Sequence, residues 1–252
     1  MQNKLHASCP AAFSPRMAFK HWPLVRDVRF AQKCGRYLRG ARKRRPDVDW
    51  NEFDRIARHF KQDDMGSFPE RGYLFQLASD LPANAQVVEV GSWMGASTCF
   101  IAGGLKGGQA KIFAVDNFHG LSTCGEDAAW YNRHFKRLGG NSTLDIFRAN
   151  FAALGFAPRS EPVVSDSLAA AGSLAAKRDA IDFIFIDGDH SYAACKADIE
   201  AWSPYVRRGG VIALHDFGSR ADGVTRAIFE AVKAGRFAEI VGVAGTIIAF
   251  RM

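Results

Sequence analysis

Chemistry-bearing side chains gather where two apolar runs stop abruptly. Ile181-Asp-Phe-Ile-Phe-Ile186 ends at Asp187-Gly-Asp-His190, and Val211-Ile-Ala-Leu214 ends at His215-Asp216. Carboxylates are hard oxygen ligands of the kind that Mg2+ and Ca2+ take. A divalent cation held by them binds a hydroxyl, lowers its pKa and orients it. His190, with an imidazole that titrates near neutrality, takes the proton. Purely structural readings stand beside these: Asp189 caps the helix that follows, His190 is a buried, hydrogen-bonded histidine, and Asp216 closes its loop by accepting backbone N–H bonds.

A second group lies upstream. In Val88-Glu-Val-Gly-Ser-Trp-Met-Gly-Ala-Ser-Thr98, Gly91 and Gly95 stand where a strand turns into a helix. Glycine there lets the backbone approach a ligand closely, and the helix start behind it offers free N–H groups. Asp116 closes the next apolar run, 25 residues past Gly91, where an acid commonly holds ribose hydroxyls. Asp166 closes a third run, Pro162-Val-Val-Ser-Asp166. The turn is G-x-x-x-G with bulky Trp93 and Met94 inside it, not the three-glycine dinucleotide pattern. A cofactor without phosphates therefore fits better, and a nicotinamide-dependent oxidoreductase is disfavoured.

Such residues meet only if strand tips converge on one sheet edge. Strands are expected over 86–91, 111–116, 162–166, 181–187 and 211–216. Helices are expected between them over 96–105, 143–154, 167–176, 192–202 and 222–233. Two further helices precede the first strand, over 50–60 with Asp49 as N-cap and over 73–80 after a Pro69-Glu-Arg-Gly lead-in. The runs 237–243 and 246–251 flank Ala244-Gly245 and read as a closing hairpin. Alternation of this kind specifies an α/β fold with a doubly wound, mostly parallel seven-stranded sheet and a terminal antiparallel hairpin.

On Glu89-Val-Gly-Ser-Trp-Met-Gly95, Asp116, Asp166-Ser167, Ile186-Asp-Gly-Asp-His190 and Gly209-Gly-Val-Ile-Ala-Leu-His-Asp216, the chain resembles the class I S-adenosylmethionine-dependent methyltransferases over roughly residues 65–252. The resemblance implies a Rossmann-like methyltransferase fold that binds S-adenosyl-L-methionine. It places Glu89, Gly91 and Ser92 around the methionine end of the cofactor, Asp116 at the ribose, and Asp166 and Ser167 beside the adenine, with Gly95 also among the cofactor-binding residues. Helix capping is the structural alternative for the two serines. A narrower likeness is to the metal-dependent sugar O-methyltransferases of macrolide biosynthesis and their cephalosporin-hydroxylase-like relatives. It implies a metal site of Asp187, His215 and Asp216 and a catalytic pair of Asp187 and His190. His215 departs from that branch, which has Glu there; imidazole is a poorer Mg2+ ligand and tilts the site towards another divalent metal such as Mn2+, Fe2+ or Zn2+. The acceptor implied is a hydroxyl on a small molecule or glycan.

The 252 residues suit one large domain with an extension. Residues 1–45 hold twelve Lys and Arg against the single acid Asp27, whereas 46–252 hold 21 Lys and Arg against 25 acids. The expected organisation is a basic, flexible arm at 1–45 and the methyltransferase domain at 46–252. Such an arm can touch nucleic acid or an anionic surface, which keeps two other functions open: a nucleic-acid methyltransferase, or a non-catalytic binding protein of the same fold. Without a base-reading motif the arm reads first as a solvated tail. No apolar run approaches the ~20 residues of a transmembrane helix, and the start lacks the apolar core of a signal peptide; a cytoplasmic protein is expected. The relatives the chain resembles often form homo-oligomers. Five cysteines without a CxxC pair read as reduced structural thiols. Segment 117–142, with His119, Trp130, Tyr131 and His134, is the expected lid over the acceptor.

Overall fold

Successive residues of the central strands face opposite layers. Val87, Ile112, Phe183 and Val211 lie in one apolar core, and their neighbours Val88, Phe113, Ile184 and Ile212 lie in another. A strand apolar on both faces is stable only between two layers of helices. The computed structural model describes residues 45–60, 67–120, 133, 135–136, 142–175, 181–219 and 222–252.

Helix α1 (Trp50–His59) starts where Asp49 accepts from the backbone N–H groups of Asn51 and Glu52 at 3.1 and 3.2 Å. It buries Phe53 and Ile56. Helix α2 (Phe68–Ser79) begins well before residue 73, because Ser67 and Glu70 form a capping pair: the Glu70 carboxylate accepts from Ser67 N at 2.6 Å. Pro69 lies in the first turn, where its missing N–H costs nothing.

The sheet then builds up as β1 (Gln86–Val90), α3 (Ala96–Gly104), β2 (Lys111–Asp116), α4 (Leu144–Ala153), β3 (Ser160–Val164), α5 (Ser167–Ala175), β4 (Ile181–Ile186), α6 (Tyr192–Trp202), β5 (Val206–Leu214), α7 (Asp222–Lys233), β6 (Glu239–Ala244) and β7 (Ile247–Arg251). Strand order is β3-β2-β1-β4-β5-β7-β6. The first five strands are parallel, and β7 runs antiparallel to both β5 and β6. Residues of α1 to α4 share the first core; residues of α5, α6 and α7 share the second. The chain changes face between β1 and β4, so their C-terminal ends flank the crevice where open α/β sheets bind ligands.

Of the element boundaries that differ from the sequence expectation, those of three elements bear on the site. Strand β3 starts and ends two residues early, because Asp166 is used as a helix cap, its carboxylate accepting from Ala169 N at 2.9 Å. Strand β5 begins at Val206, through the segment expected to be a turn. Val206 pairs with Ile181 and Val211 pairs with Phe183, so residues 207–210 bulge out of the ladder. Gly209 and Gly210 in that bulge bond instead to the backbone of Met252 at 2.7 and 2.9 Å. The third is the early start of α2.

Of the basic arm, residues 1–44 lie outside the described residues. Arg45, its last member, is anchored by Asp80 and Asp47. Trp130, Tyr131 and His134 of the expected lid also lie outside the described residues. Among the described residues no helix is long and apolar enough to cross a membrane. Cys99 and Cys195 are buried free thiols whose pKa burial pushes up, in keeping with a structural role.

Candidate active site

The tips of β1, β2 and β4 are tied together by backbone bonds: Gly91 N donates to Val115 O at 2.9 Å and Asp187 N to Val90 O at 2.8 Å. Gly91 has φ +87°, and a Cβ there would overlap the carbonyl oxygen of Asp187. Only glycine lets the two strand ends close to this distance. Trp93 and Phe118 also adopt left-handed backbone, at φ 47° and 57°. Both are held by Asp116, whose carboxylate oxygens accept from Trp93 N at 2.7 Å and from Phe118 N at 2.6 Å. Burial raises the Asp116 pKa against these bonds.

This framework encloses a cleft of about 300 Å3 lined by Gly91, Trp93, Asp116, Asp166, Ser167, Asp187 and Asp198, among others. Ser167 is not a cap: its hydroxyl accepts from Trp202 Nε1 at 2.8 Å, joining α5 to α6. Gly95, at φ 85°, is the residue from which α3 starts, and Phe147 packs where its side chain would be.

Glu89 and Ser92 lie beneath the Gly91–Gly95 turn, at 0% and 1% exposure. The second Glu89 oxygen accepts from the Thr98 hydroxyl, while Oε1 makes no well-aligned hydrogen bond. The Ser92 hydroxyl makes no well-aligned bond either, although it and the Ser97 side chain lie close enough to the Glu89 carboxyl to favour its charged form. Burial pushes the Glu89 carboxyl up to about 7. A buried carboxylate oxygen and a buried hydroxyl without well-aligned hydrogen bonds are incompletely satisfied. They fit a ligand that brings a cationic donor, as the amino end of S-adenosylmethionine does, while the Asp116 carboxylate lining the cleft fits its ribose.

The expected catalytic residues do converge. His190 places Nε2 3.3 Å from Asp187 Oδ1 and Nδ1 3.0 Å from Asp216 Oδ2. His215 places Nδ1 2.9 Å from Asp187 Oδ1 and 3.9 Å from Asp216 Oδ1. Asp216 reaches this position from a left-handed backbone, φ 55°. Burial opposes the imidazolium form of both histidines, but the flanking carboxylates hold both pKa values well above neutral. In turn, although burial works to raise them, the imidazoles hold Asp187 and Asp216 below the usual carboxylate range. The arrangement thus favours charged carboxylates beside protonated imidazoles. A divalent ion has the charge of the two protons it would displace, so the donor set fits one electrostatically. Asp189 does not cap α6; Ser191 does, its hydroxyl accepting from Ala194 N at 3.2 Å.

Two acids escaped the sequence reading. Asp198 is buried on α6 yet lines the cleft, and burial lifts its pKa to about 6. Its signal was an acid on the same helical stripe as Cys195, Ile199 and Trp202. Glu70 on α2 is 6% exposed and 3.8 Å from His215 Nε2; its signal was the Ser67–Glu70 capping spacing.

A family model described as a methyltransferase domain matches residues 88–217, more than half of the chain and all of the strand tips that build the site. Solved structures agree in fold. The O-methyltransferase from Bacillus cereus in complex with SAH is 19% identical, with TM-score 0.55 over 86% of this chain and 96% of that one. The O-methyltransferase NovP is 17% identical, with TM-score 0.56 over 72% and 78%. CalS11, a calicheamicin methyltransferase, is 14% identical, with TM-score 0.54 over 85% and 96%. The strand order, the glycine turn between β1 and α3 and the family match together place this chain among the class I S-adenosylmethionine-dependent methyltransferases.

Proposed function

We propose that the protein transfers the methyl group of S-adenosylmethionine to a hydroxyl of a small molecule or glycan. The observation that carries this reading is the meeting of Asp187, His190, His215 and Asp216 at the tips of β4 and β5, with Asp187 itself lining the cofactor cleft. Methyl transfer needs a positioned nucleophile and an electrophilic sulfonium. The hydroxyl oxygen attacks the methyl carbon, the carbon–sulfur bond breaks, S-adenosylhomocysteine leaves, and the hydroxyl proton passes into the cluster. That cluster serves as a base only when its imidazoles are not both protonated. A divalent ion, when bound, supplies the positive charge that otherwise resides on them and polarises the hydroxyl. Asp187, His190, His215 and Asp216 are the donors available to hold it.

In the cofactor half, Glu89, Gly91, Ser92 and Gly95 form the methionine end, Asp116 the ribose position, and Asp166 and Ser167 the adenine side. The three structural relatives are O-methyltransferases or a methyltransferase by their own descriptions, which supports the reading without fixing the acceptor.

The test is calorimetric titration of the full chain with S-adenosylmethionine and, separately, NADH, followed by turnover assays on a panel of hydroxylated acceptors. Micromolar binding of S-adenosylmethionine and formation of S-adenosylhomocysteine with a hydroxylated acceptor are expected. Binding of NADH alone would overturn the proposal.

A further inference from the structure

We infer that Asp198, a carboxylate on α6, reads the amino edge of the cofactor's purine and makes the protein selective for a 6-aminopurine over a 6-oxopurine. The sequence expectation assigned that side of the cleft to Asp166 and Ser167. The inference rests on the methyltransferase reading, from which it takes the purine end of the cleft.

Position comes first. Asp198 is 5% exposed, yet it lines the cleft together with Val115, Gly188, Ala194 and Ala197. Its carboxylate lies against the tip of β4: a Cβ on Gly188 would stand 3.3 Å from Asp198 Oδ2. Small and apolar neighbours suit the face of a flat ring and leave recognition of its edge to a polar group.

Partners come second. The other carboxylates of the cleft are engaged elsewhere. Asp116 accepts from Trp93 N and Phe118 N, Asp166 from Ala169 N, and Asp189 from Ser191 N at 2.7 Å, while Asp187 stands among the imidazoles. Asp198 is held by the Ser167 hydroxyl. That hydroxyl accepts from Trp202 Nε1 at 2.8 Å, so its own proton is given to Asp198. Trp202, Ser167 and Asp198 thus form a directed chain in which Ser167 is a positioning residue. A carboxylate has about four lone-pair positions, so accepting from Ser167 leaves capacity for a ligand N–H.

Charge comes third. Burial lifts the Asp198 carboxyl to about 6; the Ser167 hydroxyl opposes the rise and Asp189 adds to it, and no cation is among the groups that shift it. The group is therefore still charged above neutral pH, and a buried charge of this kind gains most from an incoming N–H donor. An acceptor-only carboxylate distinguishes purines at position six. The 6-amino group of adenine brings donors to it. The 6-oxo group of hypoxanthine presents lone pairs instead, which meet a buried charge of like sign and leave it unpaired. Sites built around a buried polar group reject analogues that lack its partner more strongly than apolar pockets reject a change of size.

The test is calorimetric titration of the full chain, above neutral pH, with S-adenosylhomocysteine and with its deaminated analogue S-inosylhomocysteine. The wild type should bind the adenosine compound about 10- to 100-fold more tightly. Asp198→Asn keeps the shape and the Ser167 bond, and its amide offers a donor to a 6-oxo group as readily as an acceptor to a 6-amino group; the preference should fall to about threefold or less. Burial favours the uncharged form at this position, so the variant should fold, which thermal unfolding checks. Ser167→Ala leaves the carboxylate in place and should lower the preference only in part. Equal wild-type affinities for the two compounds, or an unchanged preference in Asp198→Asn, would overturn the inference. Loss of the preference in Ser167→Ala with its retention in Asp198→Asn would return the purine edge to Ser167 and overturn it as well. Equal binding of the two compounds refutes this inference alone, whereas a wild type that binds neither compound refutes the functional reading and this inference with it.

Discussion

Replacing Glu89 by Gln should stabilise the cofactor-free protein while weakening its hold on S-adenosylmethionine. Glu89 is wholly buried, and burial, only partly offset by the Ser97, Thr98 and Ser92 side chains, moves its carboxyl from the ordinary 4.5 to about 7. At about 1.4 kcal/mol per tenfold change in proton affinity, that displacement corresponds to about 3 kcal/mol between its neutral and charged forms. The sign follows from linkage: the folded pKa lies above the unfolded one, so the favourable contribution is complete below pH 4.5 and is lost as pH rises to about 7. Gln keeps the shape and removes the charge; its buried N–H2 returns about 1 kcal/mol. The variant should therefore be about 2 kcal/mol more stable than the wild type at about pH 8, an increase of roughly 4–8 °C in Tm for a chain of this size. At about pH 4, where the wild-type carboxyl is protonated and only the amide cost remains, the variant should instead be about 1 kcal/mol less stable. The assay is thermal unfolding of both proteins, without cofactor, across that range. The same variant should bind S-adenosylmethionine at least about tenfold more weakly, having lost a charge-assisted partner for the amino group. A stability difference that does not change with pH would refute the argument from burial. Undiminished cofactor affinity would remove Glu89 from the binding site.

Three further outcomes are expected. Gly91→Ala should cost about 2–5 kcal/mol in chemical denaturation, from the left-handed backbone and the overlap with the Asp187 carbonyl, and should abolish cofactor binding. Asp116→Ala frees the N–H groups of Trp93 and Phe118 and removes the carboxylate proposed to hold the ribose, so calorimetry should show cofactor affinity lowered by about 10- to 100-fold. Asp187→Ala should leave S-adenosylmethionine affinity within about threefold of wild type while reducing turnover by about 10²-fold or more; retained turnover would end the proposed role of the cluster.

The strand tips were legible in the sequence because a strand buried on both faces is a continuous apolar run, and such a run has an unmistakable end. Ile181 to Ile186 is buried throughout, and the polar residues that follow mark the sheet edge. The glycine turn was legible for a similar reason, since Gly91 and Gly95 occupy backbone conformations that few other residues tolerate. What escaped depends on contacts between distant parts of the chain. The bulge at 207–210 is decided by pairing with Met252, which no local pattern encodes. Asp198 looked like one polar residue on a helix until the helix was docked on its cleft-facing side. Glu70 looked like part of a loop, because the Ser67 capping signal was masked by the proline beside it. Its contact with Thr246 spans 176 residues, beyond the reach of any periodicity.

That last contact sets an order of events during protein synthesis. Glu70 leaves the ribosome early, then β1 to β5 with Asp187, His190, His215 and Asp216, and Thr246 only afterwards. At about 5–20 residues per second, roughly 10–35 s separate the emergence of Glu70 from that of its partner. A nascent chain can assemble the parallel strands and the glycine turn before it can fix the His215 ring. The cluster of Asp187, His190, His215 and Asp216 therefore reaches its final arrangement last, when the terminal hairpin closes over already folded parallel strands.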